Sequence, residues 1–552
     1  MREVTPPDFT RSDFSGSSGL APYSKPRTFW QRWRRKYFGG KALTTYGAGL
    51  AVAGAIAWTL YPSPPKPQPR PCLGQLVPVT VNGHLDCVGL SDGTAPFSAT
   101  DPFRAIELKI AAENGRVATK SRQTGTPWVA IAYLIPLTLD EDSALTREGV
   151  EQEIAGAYTA QWEAFNRSEY GDSPLVKLYL VNEGPSQGQW PTAVEQIINS
   201  TSAKLRVVAV AGLGDSQAET RAAAKQMSEA SLAMFGAAIT ADDLNSLKYP
   251  GLVRVAPSNS DEVRAAINYL PNLPGHGTTA VLVEDTAKGD DYVSNWAHEA
   301  LTLYPRRGRQ FVTRPMQFNR AYGGEESIMA QQAQDVCAAH PGVVFFAGRS
   351  RDLERFIGAF DGTYSPNCDK PIAVISGDDD LIDADTDGTV EYSSFQSALS
   401  AGNILLYSTE LQNAQEWTGC GRVPPTQRGS TQRYVEFQTD FANQLHGLAT
   451  SAGDANAMLA RDAVITAVAA IRRASAQFAN PAQQPYSYSG GDPRQVYTTV
   501  TQNLSSLFDH PINGVSGVIK IDSSTGNAVG KPLTIVQHLT NGALSCKAVK
   551  IP

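Results

Sequence analysis

Cysteine and histidine are scarce, six and seven among 552 residues, and no cysteine precedes position 72. The few that exist do not fall at the paired spacing of a zinc site, which excludes a structural zinc of that type. A Gly-x-Ser-x-Gly elbow and a Gly-x-x-x-x-Gly-Lys phosphate loop are both missing, which removes two common routes to hydrolysis and nucleotide binding. Positive charge is also short: the net charge is -7, and the 511 residues after position 41 carry -13. An acidic body argues against nucleic acid as a partner, because phosphate binding needs a basic face on the folded domain.

What basic charge there is gathers at the N-terminus, where residues 1–41 hold nine Lys or Arg against three Asp or Glu and include WQRWRRKYF at 30–38. Next comes ALTTYGAGLAVAGAIAWTLY, residues 42–61, without one charge. At about 1.5 Å per residue, such a helix spans roughly the 30 Å core of a bilayer. Arg32, Arg34, Arg35, Lys36 and Lys41 all precede the span, so the positive-inside rule places residues 1–41 in the cytoplasm and everything after Tyr61 outside. A cleaved signal peptide is the competing reading. The run is longer than an h-region of roughly 7–15 residues and follows a long lead, and both features favour an uncleaved anchor. Residues 1–26, rich in Ser, Pro and Gly, are expected to be disordered. The basic-aromatic patch is expected to grip the lipid bilayer, and the tail offers a docking site for a membrane or cytoplasmic protein partner. PSPPKPQPRP, residues 62–71, reads as a semi-rigid polyproline stalk of roughly 30 Å.

All six cysteines, Cys72, Cys87, Cys337, Cys368, Cys420 and Cys546, follow the span. That distribution agrees with an oxidising exterior and with disulfides. Six cysteines allow fifteen pairings. Proximity favours Cys72 with Cys87, across a segment whose Asn82-Gly83 reads as a hairpin turn. Cys337 with Cys368 is next, leaving Cys420 with Cys546.

From residue 128 the chain alternates apolar runs with amphipathic helices: WVAIAYLIPL, VKLYLV, LRVVAVAGL, LAMFGAA, then TAVLVED, RQFVT, VVFFAG and IAVISG. Between the first two runs, Val150, Ile154, Tyr158, Trp162 and Phe165 follow helical spacing. Strands apolar on both faces, alternating with helices, predict parallel sheets covered by helices. The breaker PNLPGHGT, residues 271–278, divides the runs four and four. The fold class is α/β, with two doubly wound lobes and a central cleft.

The segments GLVRVAPSNSDEVRAAINYL (251–270), TTAVLVEDTAKGDDYVSNW, PGVVFFAGRSRDLERFIGAF, ARDAVITAVAAIRRA and GVSGVIKIDSSTGN follow one another in the order found in type 1 periplasmic binding proteins, the Leu/Ile/Val-binding family of transporter substrate-binding proteins. The resemblance runs from about residue 126 to 540. It implies three crossings between the lobes and hinge closure over a ligand. The expected organisation is then a tail (1–41), a transmembrane helix (42–61), a stalk (62–71), a disulfide-containing collar (72–125) and a two-lobed domain (126–552). Lobe 1 is expected over about 126–270 and 400–480, and lobe 2 over about 275–400 and 485–545.

The resemblance also carries site residues. Asp215 and Ser216 fall where the family uses a Ser pair for a ligand carboxylate, Ile239 and Thr240 where it often has Ala-Thr, and Lys288 where an aromatic residue is common. Arg349 follows VVFFAG and Asp378 follows IAVISG. The pattern is kept only in part, so the resemblance implies a small polar ligand, amino-acid-like among the options, and does not carry over the family's amino-acid specificity. Ser216 and Thr240 also fit plain helix caps. Gly214, Asp215 and Ser216 spell the start of a hydrolase motif as well, but its downstream Asp-x-x-His is absent, so no enzyme is expected.

One metal signal stands out in DADTDGTVE, residues 383–391. Asp383, Asp385, Asp387 and Gly388 occupy positions 1, 3, 5 and 6 of a calcium loop, with Thr389 and Glu391 at 7 and 9, while position 12 is Ser394 instead of Glu. Two functions follow for the whole chain. The first is a membrane-anchored extracytoplasmic solute-binding or sensor protein. The second is a tether whose tail recruits a cytoplasmic assembly while the exterior domain serves as a platform. A cleft lined by polar groups favours the first, and a filled or blocked cleft the second.

Overall fold

The computed structural model describes residues 72–140, 143–168, 170–273, 278–361, 368, 371–378, 390–418, 420, 425–476, 493–539 and 544–550. The predicted anchor and stalk lie outside them. Among the described residues no helix is long and apolar enough to cross a membrane.

The first sheet holds β1 (Val77–Val81), β2 (His84–Ser91), β3 (Trp128–Ile135), β4 (Leu175–Asn182), β5 (Val207–Gly212), β6 (Ala233–Gly236) and β7 (Leu252–Arg254), in the order β1-β2-β4-β3-β5-β6-β7. Strands β3 to β7 are parallel. The predicted Asn-Gly turn joins β1 to β2, with both Asn82 and Gly83 at positive φ, the geometry that matches strand twist in a two-residue hairpin. Strand β2 then pairs antiparallel with β4. Helix α1 (Arg104–Thr124) packs on β4 and on α2 (Arg147–Asn166). Residues 72–125 are therefore an extension of the first lobe and not a separate collar.

The remaining helices named here are α3 (Trp190–Asn199), α4 (Ala218–Glu229), α5 (Asn259–Tyr269), α6 (Asp291–Leu303), α7 (Glu325–Ala339), α8 (Ser350–Gly358), α9 (Val390–Ser400), α10 (Arg428–Gln444), α11 (Ala455–Ala476) and α12 (Pro493–Gln502). Helix α2 starts on a Thr146 cap that accepts the Gly149 N–H. It is buried on nearly every side, because α11, which also packs on β5 and β6, lies along it and α1 and α10 pack on it as well. Gly156 makes this approach fit: a Cβ there would collide with the Ala457 carbonyl.

The second sheet runs β10 (Met316–Phe318), β8 (Thr279–Asp285), β11 (Val343–Ala347), β12 (Ile372–Ser376), β13 (Ile404–Glu410), β16 (Leu533–His538), β17 (Leu544–Lys550), with β9 (Gln310–Phe311) also on β8. Strands β16 and β17 are antiparallel additions. A hairpin of β14 (Ile512–Gly514) and β15 (Gly517–Ile519) packs on α10.

Three crossings join the lobes, at positions that differ from the sequence reading. Helix α5 packs on α6, β13 and β16, so the chain has reached the second lobe by Asn259 and not at 270. Strand β13 belongs to the second sheet, which puts the second crossing after Glu410. Helix α12 packs on β5 and β6 of the first lobe, and Asn527 bridges Arg254 there, which puts the third crossing just before β16.

The cysteines pair 72–87, 337–368 and 420–546, with Cα–Cα separations of 5.5, 5.0 and 5.5 Å. No cysteine is free. This is the pairing that sequence order favours.

Two buried acids give the fold a pH dependence. Burial pushes Glu153 and Glu416 each up to about 8. Between an unfolded value near 4.5 and that folded value the native state binds more protons than the unfolded one, so stability is present at low pH and is lost as pH rises. Burial lowers His538 to about 4, which works in the opposite direction only below about 6.5. The melting temperature is therefore expected to fall between pH 6.5 and 8, measured by scanning calorimetry. A rise over that interval contradicts the assignment.

Candidate ligand-binding cleft

In open α/β sheets, ligands lie beyond the carboxyl ends of the parallel strands, where helix N-termini present free N–H groups. Loops after β5, β6, β8, β11 and β12 meet at that place. Between them is a cavity of about 70 Å³. From the first lobe it is lined by Thr146 and Gly149 at the start of α2, by Asp215, Ser216, Ala238 and Thr240, and by Ala455 and Asn456 at the start of α11. Tyr292, Arg349, Ser350, Asp378 and Glu410 line it from the second, and Leu145, Leu411 and Leu459 add apolar surface.

The turn after β5 explains how Asp215 reaches this position. Gly212, Leu213 and Gly214 all have positive φ, and a Cβ on Gly214 would press on Gln187 and Glu183. The tight reversal brings Asp215 to the mouth of the lobe, where its carboxylate accepts from Gln187 Nε2 at 2.8 Å and Gln217 Nε2 at 2.9 Å. Behind it lie two more acids. Glu153 accepts from the Tyr133 hydroxyl at 2.7 Å, and Glu183, fully enclosed, is pushed well above the carboxylate range by burial and then by the charges of Asp215 and Glu153.

Ser216 braces two loops: its Oγ accepts from the Thr240 and Ala241 N–H groups at 2.9 and 3.1 Å. Thr240 itself is buried on the cavity wall. On the opposite side, Glu410 ends β13 at the second crossing. Its Oε1 accepts from the Ser408 hydroxyl at 3.0 Å, and burial pushes it up to about 7, helped by the charges of Asp378 and Asp454. Asp378 meets Glu262, a fully buried carboxyl on α5 that also accepts from the Thr409 hydroxyl at 2.9 Å. Burial first, and Asp378 second, push Glu262 well above its usual range.

The structure thus gathers Asp215, Ser216, Thr240, Arg349 and Asp378 around one cavity. Ile239 is fully buried in the core, and Lys288 is exposed and away from the lining. Asp383, Asp385, Asp387 and Thr389 lie outside the described residues, and Glu391 falls in the first turn of α9 with its side chain outside them. Among the described residues, no group of three or more His, Cys, Asp or Glu is arranged to hold a metal. Sequence reasoning missed Thr146, Tyr292, Glu410 and Asn456. For Thr146 a cap ahead of an apolar helix was a readable signal; the other three carry none.

Solved structures similar to this chain include substrate-binding proteins. The ABC transporter substrate-binding protein from Desulfitobacterium hafniense in complex with Leu shares 17% identity at TM-score 0.53, covering 76% of this chain and 99% of that one. Branched-chain amino acid transporter substrate-binding protein LivJ from Streptococcus pneumoniae, in complex with isoleucine, shares 15% identity at TM-score 0.51, covering 77% and 99%. Leucine-binding protein LivK from Thermotoga maritima shares 17% at TM-score 0.50 over the same shares. No family model matches the sequence, and no curated protein matches it. At this identity the likeness establishes the fold, which is that of the type 1 periplasmic binding proteins.

Proposed function

We propose that the chain is a membrane-anchored extracytoplasmic solute-binding protein whose cleft takes a small zwitterion of the amino-acid type. The observation that carries this reading is Glu410. It stands on the cavity wall at a crossing between lobes, and a single hydroxyl bonds one of its oxygens. A buried carboxyl at neutral pH gains most from a cation placed beside it. An ammonium group bound there also links occupancy to the hinge. The starts of α2, α8 and α11 supply the opposite sign on other walls of the same cavity, where a carboxylate is favoured by the helix dipole. A cavity of about 70 Å³ is under half of the ~150 Å³ that admits benzene, so a small amino acid fits it better than leucine.

The polar lining favours the receptor over the tether. The bound Leu and Ile of the similar structures agree in ligand class, and exclusively disulfide-bonded cysteines agree with an oxidising exterior. The anchor at 42–61, the cytoplasmic tail and its grip on the inner leaflet remain part of the same proposal.

A thermal-shift screen of the oxidised full chain in mild detergent tests it, with free amino acids set against their N-acetyl derivatives and against simple amines. Ligand at a thousandfold excess over Kd stabilises by about 4 kcal/mol, a visible shift. Shifts are expected with small free amino acids and not with N-acetyl forms. Equal shifts from N-acetyl forms, or no shift from any amino acid, would sink the reading.

A further inference from the structure

We propose that Arg349 is a latch built into the cleft: rooted at the start of α8 in the second lobe, its guanidinium crosses to Asp215 of the first and holds the lobes together. Its Nη2 donates to Asp215 Oδ2 at 2.8 Å, while Nε and the same Nη2 donate to the two oxygens of Asp290 at 2.7 and 2.9 Å. The guanidinium lies over the Tyr292 ring, 4.8 Å from its centroid.

Three features separate this bridge from an ordinary surface ion pair. All three partners are almost fully enclosed, Arg349 at 9% exposure, Asp215 at 7% and Asp290 at 3%, so salt screens them little. Both carboxylates are fixed before the guanidinium meets them. Asp215 is held by Gln187 and Gln217, and Asp290 by the Val293 N–H at 3.1 Å and by Arg320 at 2.8 Å. A planar fork meeting pre-placed carboxylates is the strong form of a charged hydrogen bond. Burial acts to raise Asp290, yet Arg349 and then Arg320 hold it below the usual carboxylate range, as expected of an acid that stays ionised in the latch.

The third feature is what the latch stands beside. At the same seam the Ala218 N–H donates to the Gly289 carbonyl at 2.9 Å and the Tyr292 N–H to the Ser216 carbonyl at 3.0 Å. These two backbone bonds run from the first lobe to the second and flank Asp215 and Asp290 directly. Ion pair and backbone bonds form or break as a unit, so the chain's own side chains sustain the closed arrangement, and any solute adds to a closure that Arg349 already favours. The latch does not depend on which solute the cleft takes.

Hydrogen exchange read by mass spectrometry on the detergent-solubilised full chain tests it without any ligand. In Arg349→Gln, and separately in Asp215→Asn, the Ala218 and Tyr292 amides are expected to exchange about tenfold faster or more, because they open with the seam and not with the lobes. Amides of β5 and β11 should keep their protection in both variants. Unchanged rates at Ala218 and Tyr292, with β5 and β11 still protected, would overturn the latch. If Arg349→Gln loses protection throughout, Asp215→Asn decides alone, since it leaves Arg349 bonded to Asp290. Loss of protection throughout in both variants would also overturn the latch, in favour of a purely folding role.

Discussion

Arg461→Met is expected to destabilise the two-lobed domain by about 3–5 kcal/mol, the cost of breaking a buried ion pair from one side. Arg461, on α11, is 1% exposed and reaches Glu163 of α2. Its Nε and Nη2 donate to Glu163 Oε2 at 2.9 and 2.6 Å, and Nη1 donates to Asp462 Oδ1 at 2.9 Å. Burial, helped by the Asp440 charge, pushes Glu163 above the usual carboxylate range, and Arg461 is the largest influence opposing it. Asp462 in turn holds the β14–β15 turn, accepting from the Val515 and Ser516 N–H groups at 2.9 and 2.8 Å. Removing the cation leaves two enclosed carboxylates beside one another. Urea unfolding followed by circular dichroism measures the loss. The double variant Arg461→Met with Glu163→Gln should recover much of it, because the uncompensated charge goes with its partner. A single variant within about 1 kcal/mol of wild type contradicts the assignment, since that is the scale of an exposed pair.

Glu410→Gln is expected to weaken amino-acid binding about 100-fold while leaving the fold in place, because a charged hydrogen bond contributes about 1.5–3 kcal/mol and the isosteric amide keeps the packing. The pH profile separates this from a steric effect. Glu410 sits at about 7 in the cleft, so below that value an ammonium ligand must displace its proton. Apparent Kd should rise about tenfold for each pH unit below 7 and level off above it. In Glu410→Gln that slope should vanish. A slope that survives the substitution would assign the proton to another group, such as the Glu262–Asp378 pair.

Much of the fold was legible because parallel strands buried on both faces read as uninterrupted apolar runs: β3, β4, β5, β8, β11 and β12 all fall on such runs. Strand β13 was harder. ILLYSTE is followed by no helix of ordinary length, only by a single turn, Gln415–Thr418, and an antiparallel partner from more than a hundred residues later. The order of elements could not show that β16 returns to lie beside it. Helix α2 shows a second limit. Its apolar spacing marked one face, but its second face is built from Gly156, Ala155 and Ala160, whose small size admits α11 and gives no periodic signal. Glu153 and Glu163 look like solvent-facing residues on that helix. They are buried against Tyr133 of β3 and Arg461 of α11, partners outside the helix and so outside its pattern.

The site divides along the same line. Asp215, Thr240, Arg349 and Asp378 were proposed through the family resemblance, which points to the loops after strands, and those four residues do line the cavity. Ile239, one residue from Thr240, is buried in the core, where its side chain packs over Gly236. Tyr292 and Glu410 depend on how two lobes meet, which is set by the crossings and not by any local pattern.

The cleft as an ammonium-binding site is tested most directly by counting protons. Calorimetric titration of the full chain with the amino acid that stabilises it most, at pH 6 in two buffers of different ionisation enthalpy, gives the number of protons exchanged on binding. Glu410 at about 7 predicts release of close to one proton at pH 6 and almost none at pH 8.5. Binding at pH 6 without proton release would contradict the account.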